Sequence, residues 1–289
     1  MLGFLNIYKP SGMTSNAVVQ KIKKKFHINK IGHMGTLDPL ASGILPIAIG
    51  KATRLFDYSL NKTKRYTAIF DFGYTTDTLD TTGEKTNHSG YIPTTDEIII
   101  ATKQLIGEID QVPPQYSAKN INGMRAYDLA RKGVNFELKP KKIKIFKLDI
   151  IEQVSDYQFK FDIVCSSGTY IRAIARDLAN CLDTYACMSF LERTETGNFK
   201  LDTSIDLENM INGDKDINNY IISPLDVFAN FDKIEINDTT FYDLINGKRP
   251  KFSILTNDTF VIHKGELVGI AKKNSEELIL ETFLYETKE

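Results

Sequence analysis

The stretch IGHMGTLDPLASGILPIAIGKATR, Ile31–Arg54, is the most distinctive part of the sequence. Its glycines and prolines are Gly32, Gly35, Gly43, Gly50, Pro39 and Pro46. They surround a single acidic residue, Asp38. Glycine lets the backbone approach another molecule closely, and the proline after Asp38 restrains that residue toward extended conformations. The stretch therefore predicts a rigid loop that presents the Asp38 carboxylate.

The surroundings of Asp38 allow two interpretations. The flanking residues Leu37 and Leu40 are apolar, and a carboxylate is costly to bury without a cation, so this interpretation requires an arginine from elsewhere in the chain. The alternative is a turn aspartate that caps a backbone N–H, which is common in loops rich in glycine and proline. Loop chemistry alone favours the turn aspartate over a catalytic one.

A phosphate-binding loop can be excluded in the same stretch. Six residues separate Gly43 from Gly50, whereas the nucleotide-binding motif needs four. Ala52 follows Lys51 where a serine or threonine would coordinate magnesium. The sequence therefore does not predict binding of a nucleoside triphosphate.

Composition indicates an ordinary globular protein. The 289 residues are 42% hydrophobic and 25% charged, which suffices for one large core and a small second domain. No run of about eighteen apolar residues occurs, and the first ten residues lack the features of a signal peptide, so we expect a cytoplasmic protein. The cysteines Cys165, Cys181 and Cys187 form no CxxC pair and are odd in number, which favours reduced thiols over a zinc ribbon or a disulfide framework.

The formal net charge of −1 conceals two basic segments. Residues 1–65 carry eleven Lys and Arg against Asp38 and Asp57, a net charge of +9. Residues 119–147 carry nine against Asp128 and Glu137, a net charge of +7. Such segregation suggests a face that binds a polyanion, because each neutralised phosphate releases counterions. A solvated lysine-rich surface would show the same charge pattern.

Hydrophobic patterns predict a mixed α+β fold. The segments Tyr66–Phe72, 143–150 and 157–165 are rich in β-branched and aromatic residues and predict strands. Apolar residues at three- and four-residue spacing predict helices over 16–26, 95–105, 124–132 and 171–181. Because no regular βαβ period occurs, we expect a mixed, mostly antiparallel sheet.

The end of the chain has a different pattern. Polar segments at 75–90 and 203–219 predict loops, and short strands divided by turns at 246–247, 264–265 and 273–274 follow Pro224 and Leu225. This pattern indicates a small β domain of roughly 60 residues. We place the boundary near residues 228–231, which gives domains 1–229 and 230–289.

Four motifs, in this order, resemble those of the TruB-type tRNA pseudouridine synthases, and the chain is compact like the bacterial members. They are KPSGMTS at 9–15; GHMGTLDPLASG at 32–43, with Leu45, Pro46 and GKATR at 50–54; KRY at 64–66; and SSGTYIR at 166–172, followed by LERT at 191–194. The match covers about the first 200 residues. The resemblance implies the pseudouridine synthase type of catalytic core and a PUA-like C-terminal β domain.

The resemblance also implies an activity and its catalytic residues. Members of this family convert uridine at position 55 of the tRNA T-arm to pseudouridine. Asp38 corresponds to their catalytic aspartate, which attacks the nucleoside or drives formation of a glycal intermediate. Arg172 would pair with Asp38 and keep it ionised. Tyr66 would stack on the uracil or assist proton transfer, although a tyrosine that opens a strand is more often a core residue.

Further substrate contacts are implied by the same resemblance. The target base must leave the RNA stack, and His33 would fill the vacated position by stacking. Tyr170 and Leu191 correspond to substrate-contacting positions, and Asp80 resembles an acidic position on the substrate side. Without the motif context, an ordinary loop histidine is an equally good interpretation of His33, and an ordinary loop residue is the better interpretation of Asp80. Lys9 belongs to a motif that supports the site.

The expected partner is tRNA, gripped by residues 119–147. No metal or cofactor is expected, because the reaction involves no net redox change or hydrolysis, and a monomer is the default expectation. The residues leave two alternatives open: a non-catalytic RNA-binding or RNA-folding protein, and a pseudouridine synthase that acts on another RNA or position.

Overall fold

The structure is a computed structural model that describes residues 1–59, 63–117, 119–121, 123–134, 136–213, 216–252, 259–271 and 276–285. The helices are α1 (Ser15–Phe26), α2 (Thr95–Leu105), α3 (Ala126–Arg131), α4 (Ile171–Asn180), α5 (Leu207–Asn212), α6 (Pro224–Val227) and α7 (Asp238–Ile245). Short 3-10 helices lie at Gly50–Leu55, Asp57–Ser59, Leu201–Thr203 and Ile217–Tyr220. Among the described residues, no helix is long and apolar enough to span a membrane.

The strands of the first half are β1 (Gly3–Lys9), β2 (Ile31–His33), β3 (Ser42–Ile49), β4 (Lys64–Phe72), β5 (Tyr74–Thr76), β6 (Lys85–His88), β7 (Gly107–Gln111), β8 (Asn120–Ile121) and β9 (Met124–Arg125). Those of the second half are β10 (Lys141–Gln153), β11 (Gln158–Cys165), β12 (Ala186–Thr196), β13 (Phe199–Lys200), β14 (Ile205–Asp206), β15 (Lys233–Glu235), β16 (Thr259–His263), β17 (Glu266–Ala271) and β18 (Leu280–Phe283).

One large sheet forms the centre of the molecule. Its strand order is β14-β1-β3-β12-β4-β11-β10-β7, with β2 paired to β3 and β13 paired to β12. Only the pairs β1 with β14 and β3 with β12 are parallel among the described strands of this sheet. The predicted fold class, α+β with a mostly antiparallel sheet, is confirmed.

Helices α1 and α4 pack against this sheet through apolar side chains. In α1, the Thr14 side chain caps the N-terminus by accepting from Ala17 N, and Val18 and Ile22 are fully buried. In α4, Ile174 and Leu178 are fully buried four residues apart, as one face of a helix requires. The core of the central sheet therefore lies beneath these helices.

A second sheet, in the order β15-β16-β17-β18, forms from the C-terminal residues. It packs on the opposite side of β1 and β3, where Phe228 lies between Phe4 and Phe260 with ring-centroid distances of 5.8 and 6.0 Å. Lys51 and Arg54, in the 3-10 helix after β3, donate hydrogen bonds to carbonyl groups of the last described residues. The small C-terminal β structure is thus present, while the boundary at residue 229 stays a prediction.

Four local predictions require correction. The polar segment 75–90 contains most of the hairpin β5–β6, and 203–219 contains β14 and α5. Met124 belongs to β9, so that helix begins at Ala126. The C-terminal region also contains helices α6 and α7, so the turn at 246–247 ends a helix instead of joining strands.

Side-chain caps explain why these short helices form despite weak apolar patterns. Asp206 accepts from Asn209 N at the start of α5, Ser223 caps α6, and Asn237 caps α7. The predicted turn at 264–265 is present between β16 and β17, and the one predicted at 273–274 lies outside the described residues.

Gly43 is required where β3 meets β12. It has φ +99°, and a Cβ atom there would lie 2.6 Å from Arg193 N and closer still to the Arg193 carbonyl oxygen. Gly12 has φ +83° but open space around it. We predict that Gly12→Ala lowers the free energy of unfolding by about 1–2 kcal/mol, through backbone strain alone.

Gly43→Ala should lower the free energy of unfolding by at least about 2 kcal/mol more than Gly12→Ala, because strain and a backbone clash combine. Urea unfolding of the two variants and the parent protein measures the difference. Equal losses would contradict the close packing of β3 on β12.

Candidate active site

A cavity of about 230 Å³ opens between the Asp38 loop, β4, β12 and the start of α4. Its lining residues are Thr36, Leu37, Asp38, Lys64, Tyr66, Ser117, Gly168, Thr169, Tyr170, Ile171, Arg172 and Leu191. Of the residues predicted for the site, Asp38, Tyr66, Tyr170, Arg172 and Leu191 thus lie together in one pocket. They come from four separate segments of the chain.

The loop that carries Asp38 is fixed through its backbone. Ser15 Oγ, at the start of α1, accepts from Leu37 N at 2.8 Å and lies 3.0 Å from Leu37 O. Ala41 N donates to Asp38 O at 3.1 Å, and Gly12 N donates to the Pro39 carbonyl at 2.8 Å. Because these bonds hold both sides of the loop, the Asp38 carboxylate has a defined position.

The side chain of Lys9 supports the same loop. It is fully buried, and Nζ donates to Pro10 O at 2.8 Å and Met13 O at 2.7 Å and lies 3.4 Å from Pro39 O. Burial lowers the pKa of the Lys9 ammonium to about 8, although the Asp38 charge opposes that shift. The contacts agree with the supporting role expected for the first motif.

Asp38 forms an ion pair with Arg172. Arg172 Nε lies 2.9 Å from Asp38 Oδ2, but its N–H is not directed at the carboxylate in hydrogen-bonding geometry, so the contact is electrostatic. The Arg172 side chain is 6% exposed and that of Asp38 is 35% exposed. The arginine is therefore buried behind an aspartate that remains open to the cavity.

The Arg172 guanidinium is held by carbonyl groups as well. Nη1 donates to Thr78 O at 2.8 Å, and Nη2 donates to Tyr116 O at 3.1 Å. Among the described residues, no backbone N–H donates to the Asp38 carboxylate, so the capping interpretation of this aspartate has no support in the structure. The cation required by the burial argument is Arg172.

Asp80 lies on the far side of Arg172. Its Oδ2 is 3.5 Å from Arg172 Nη1, and its Oδ1 accepts from Thr82 N at 3.0 Å and from Thr78 Oγ1 at 2.9 Å. The side chain is 7% exposed and is not part of the cavity lining. Asp80 therefore contacts Arg172 in this structure, and its expected position on the substrate side stays a prediction.

Tyr66 and Leu191 form the walls of the cavity. Both are 5% exposed, and they lie on the paired strands β4 and β12. Burial raises the pKa of the Tyr66 phenol to about 12, so the group is neutral at ordinary pH. Tyr170 precedes α4, where Gln111 accepts from its N–H at 2.9 Å and donates to its C=O at 3.2 Å.

His33 lies at the end of β2, outside the cavity lining. Its Nδ1 is buried without a hydrogen-bond partner among the described residues. Burial and the charge of Arg193 lower the pKa of its imidazole, which favours a neutral ring. A neutral half-buried ring can stack on a base, but that role needs bound RNA and stays a prediction.

Two basic residues at the site were not assigned from the sequence. Arg193 is fully buried, and its guanidinium donates to Ile44 O at 2.8 Å, to Gly35 O at 3.1 Å and to Thr36 O at 3.5 Å. Lys64 lines the cavity two residues before Tyr66. Strand alternation places residues i and i+2 on one face, but the predicted strand began at Tyr66, so Lys64 lay outside it.

Arg193 and burial together determine the charge state of Lys64. Burial lowers the pKa of the Lys64 ammonium to about 8, and the Arg193 charge adds to the shift.

Among the described residues, no group of three or more His, Cys, Asp or Glu side chains could hold a metal ion.

Comparison with solved structures identifies the fold. The chain superimposes on a chain of the crystal structure of a Cbf5-Nop10-Gar1 complex with a TM-score of 0.72 and 25% identity, covering 98% of this chain and 85% of that one. It also superimposes on a chain of the structure of an H/ACA RNP bound to a substrate RNA containing 2'-deoxyuridine. That match has a TM-score of 0.71 and 24% identity and covers 98% of this chain and 85% of that one. The fold is that of the pseudouridine synthases.

Comparison of sequences narrows this class to a family. Residues 23–171 match the model of the TruB family pseudouridylate synthase, N-terminal domain. The chain is 39% identical over 291 residues to the tRNA pseudouridine synthase B of Clostridium novyi, covering 98% of this chain and 100% of the relative. It is 40% identical over 248 residues to that of Caldanaerobacter subterraneus, covering 85% of each. The chain belongs to the TruB family of pseudouridylate synthases.

The lowered pKa of Lys64 predicts a pH dependence of stability. An unfolded lysine titrates near 10.5, so between about pH 8 and that value the unfolded chain binds more protons than the folded protein. The contribution of Lys64 to the free energy of unfolding therefore rises with pH across that window. In Lys64→Met, this part of the rise should be absent.

Chemical denaturation at about pH 7 and about pH 9.5 measures the effect in the parent protein, in Lys64→Met and in Lys160→Met. Lys160 is the matched control, because it pairs with Glu152 on the other face of the sheet. If all three proteins showed the same change with pH, Lys64 would have an ordinary pKa.

Proposed function

We propose that this protein isomerises uridine to pseudouridine in tRNA, at position 55 of the T-arm. The observation that carries the proposal is the Asp38 carboxylate, open to the cavity and ion-paired to the buried Arg172. The names of its relatives, tRNA pseudouridine synthase B, support tRNA as the substrate. A phosphate-binding surface alone would need no aspartate held in this way.

The reaction moves one glycosidic bond without net oxidation or hydrolysis. The N1–C1′ bond breaks, the uracil rotates, a C5–C1′ bond forms, and the proton lost from C5 is balanced by one gained at N1. Asp38 is the nucleophile at C1′ or the base that leads to a glycal intermediate. Arg172 offsets the negative charge of the carboxylate in either route.

The apolar walls suit a uracil removed from the RNA. A base inside a folded loop cannot reach Asp38 in place, so it leaves the stack and enters the cavity. Tyr66 stacks on the uracil or assists proton transfer, while Leu191 and Tyr170 complete its surroundings. His33, outside the cavity, takes the position that the base leaves in the RNA.

The remaining RNA contacts follow from charge. Residues 119–147 grip the T-arm through phosphates, and residues 1–65 extend the basic surface. The protein acts as a cytoplasmic monomer with two domains, a catalytic domain at 1–229 and a PUA-like β domain at 230–289. Asp80, ion-paired to Arg172, provides an acidic group on the substrate side of the site.

Asp38→Asn should abolish pseudouridine formation while tRNA binding is retained within about threefold, because the amide can neither attack nor take a proton. Asp156→Asn is the control, since Asp156 lies exposed in the turn between β10 and β11. Single-turnover pseudouridine formation and filter binding measure the two properties. Pseudouridine formed by Asp38→Asn at the parent rate would refute the assignment.

Mapping of modified positions tests the substrate. We expect pseudouridine at position 55, and at no other uridine, after incubation of the protein with a T-arm stem-loop or with unmodified tRNA. Modification at a different position would favour a synthase with another target. Tight binding without any modification would favour a non-catalytic RNA-binding protein.

A further inference from the structure

Two lysines at or beside the cavity have no anionic partner. Lys64 begins β4, is half-buried and lines the cavity, whereas Lys141 begins β10 and is exposed beside it. Within the part of the chain that the structure describes, neither ammonium donates a hydrogen bond or lies within ion-pair distance of a carboxylate. Since a half-buried ammonium group is usually paired, Lys64 in particular is available to a ligand.

Both ammonium groups lie close to a glycine in one of the loops that form the cavity. A Cβ atom on Gly35 would lie 3.3 Å from Lys64 Nζ, and one on Gly168 would lie 2.6 Å from Lys141 Nζ. Gly35 lies in the loop that carries Asp38, and Gly168 itself lines the cavity. The two lysines therefore contact two different loops of the site.

The charges around the cavity do not balance without a ligand. Asp38 is already paired with Arg172, which leaves Lys64, Lys141 and the buried Arg193 uncompensated. Burial is the main cause of the lowered pKa of Lys64, and the charges of Arg193 and Lys141 add to it, so each of these two cations is close enough to repel Lys64. An anion at this place would relieve that repulsion.

The uracil base is neutral, and the anion that accompanies it is the phosphodiester of the RNA backbone. We propose that Lys64, together with Lys141, binds a phosphate adjacent to the uridine that enters the cavity. This inference rests on the proposed function. It makes Lys64 a substrate-binding residue that holds the extruded nucleotide by its backbone while Asp38 acts on the sugar.

Binding to the product RNA tests the contact without turnover. The probe is a T-arm stem-loop with pseudouridine already at the target position. We expect Lys64→Met to bind it about tenfold more weakly, with a smaller loss for Lys141→Met, and each variant to reduce the slope of log affinity against log salt by about 1. Lys160→Met should bind as the parent does, and Lys64→Arg should restore most of the affinity.

Neutralising single phosphates locates the contact. Stem-loops with a methylphosphonate on the 5′ or the 3′ side of the target should bind the parent protein more weakly at one of the two positions. At that position, Lys64→Met should lose nothing further, because lysine and phosphate are coupled. Circular dichroism melting checks that the variants are folded.

Two results would overturn the proposal. The first is that Lys64→Met and each of the two methylphosphonates weaken binding independently of one another. The second is that Lys64→Met lowers kcat and alters its pH profile while the affinity for the stem-loop is unchanged. The second would mean that Lys64 transfers a proton. If the parent protein made no pseudouridine, the proposed function would fail, while the affinity measurements would still report on the phosphate contact.

Discussion

The buried guanidinium of Arg193 connects the central sheet to the loop that carries Asp38. It extends from β12, donates to a carbonyl of β3 and reaches the carbonyls of Gly35 and Thr36 in that loop. No described carboxylate pairs with it, so these carbonyl groups replace water around a full charge. Hydrogen bonds to a charged group contribute about 1.5–3 kcal/mol each, which makes this contact strong enough to fix the loop.

The same cation contributes to the electrostatics of the cavity. Burial lowers the pKa of Lys64 to about 8 and also lowers the pKa of His33, and the Arg193 charge adds to both shifts. Arg172 would add to the positive potential, but it is balanced by Asp38 on one side and Asp80 on the other. The positive excess is therefore localised near Lys64, where the phosphate of a nucleotide can compensate it.

Sequence patterns predicted the elements that depend on local apolar periodicity and the residues that belong to distinctive motifs. Strand β4 and helix α2 were located from such patterns, and Asp38, Tyr66 and Arg172 from the motifs. The ion pair of Asp80 with Arg172 was not predicted, because the two residues are distant in sequence. Arg193 was missed because an arginine on a strand is ordinarily exposed, and only the register of β12 against β3 shows that it points inward.

The second half of the motif around Asp38 connects the cavity to the C-terminal sheet. Strand β3 continues from the Asp38 loop into the 3-10 helix at Gly50–Leu55, where Arg54 donates to Phe283 O at 2.8 Å and Lys51 lies 5.0 Å from the Phe283 ring centroid. Phe283 ends β18, the last strand of the C-terminal sheet. One continuous segment thus contacts the cavity at its beginning and the C-terminal sheet at its end. Because strands and short helices are close-packed and rigid, this segment holds the C-terminal sheet at a fixed distance from Asp38.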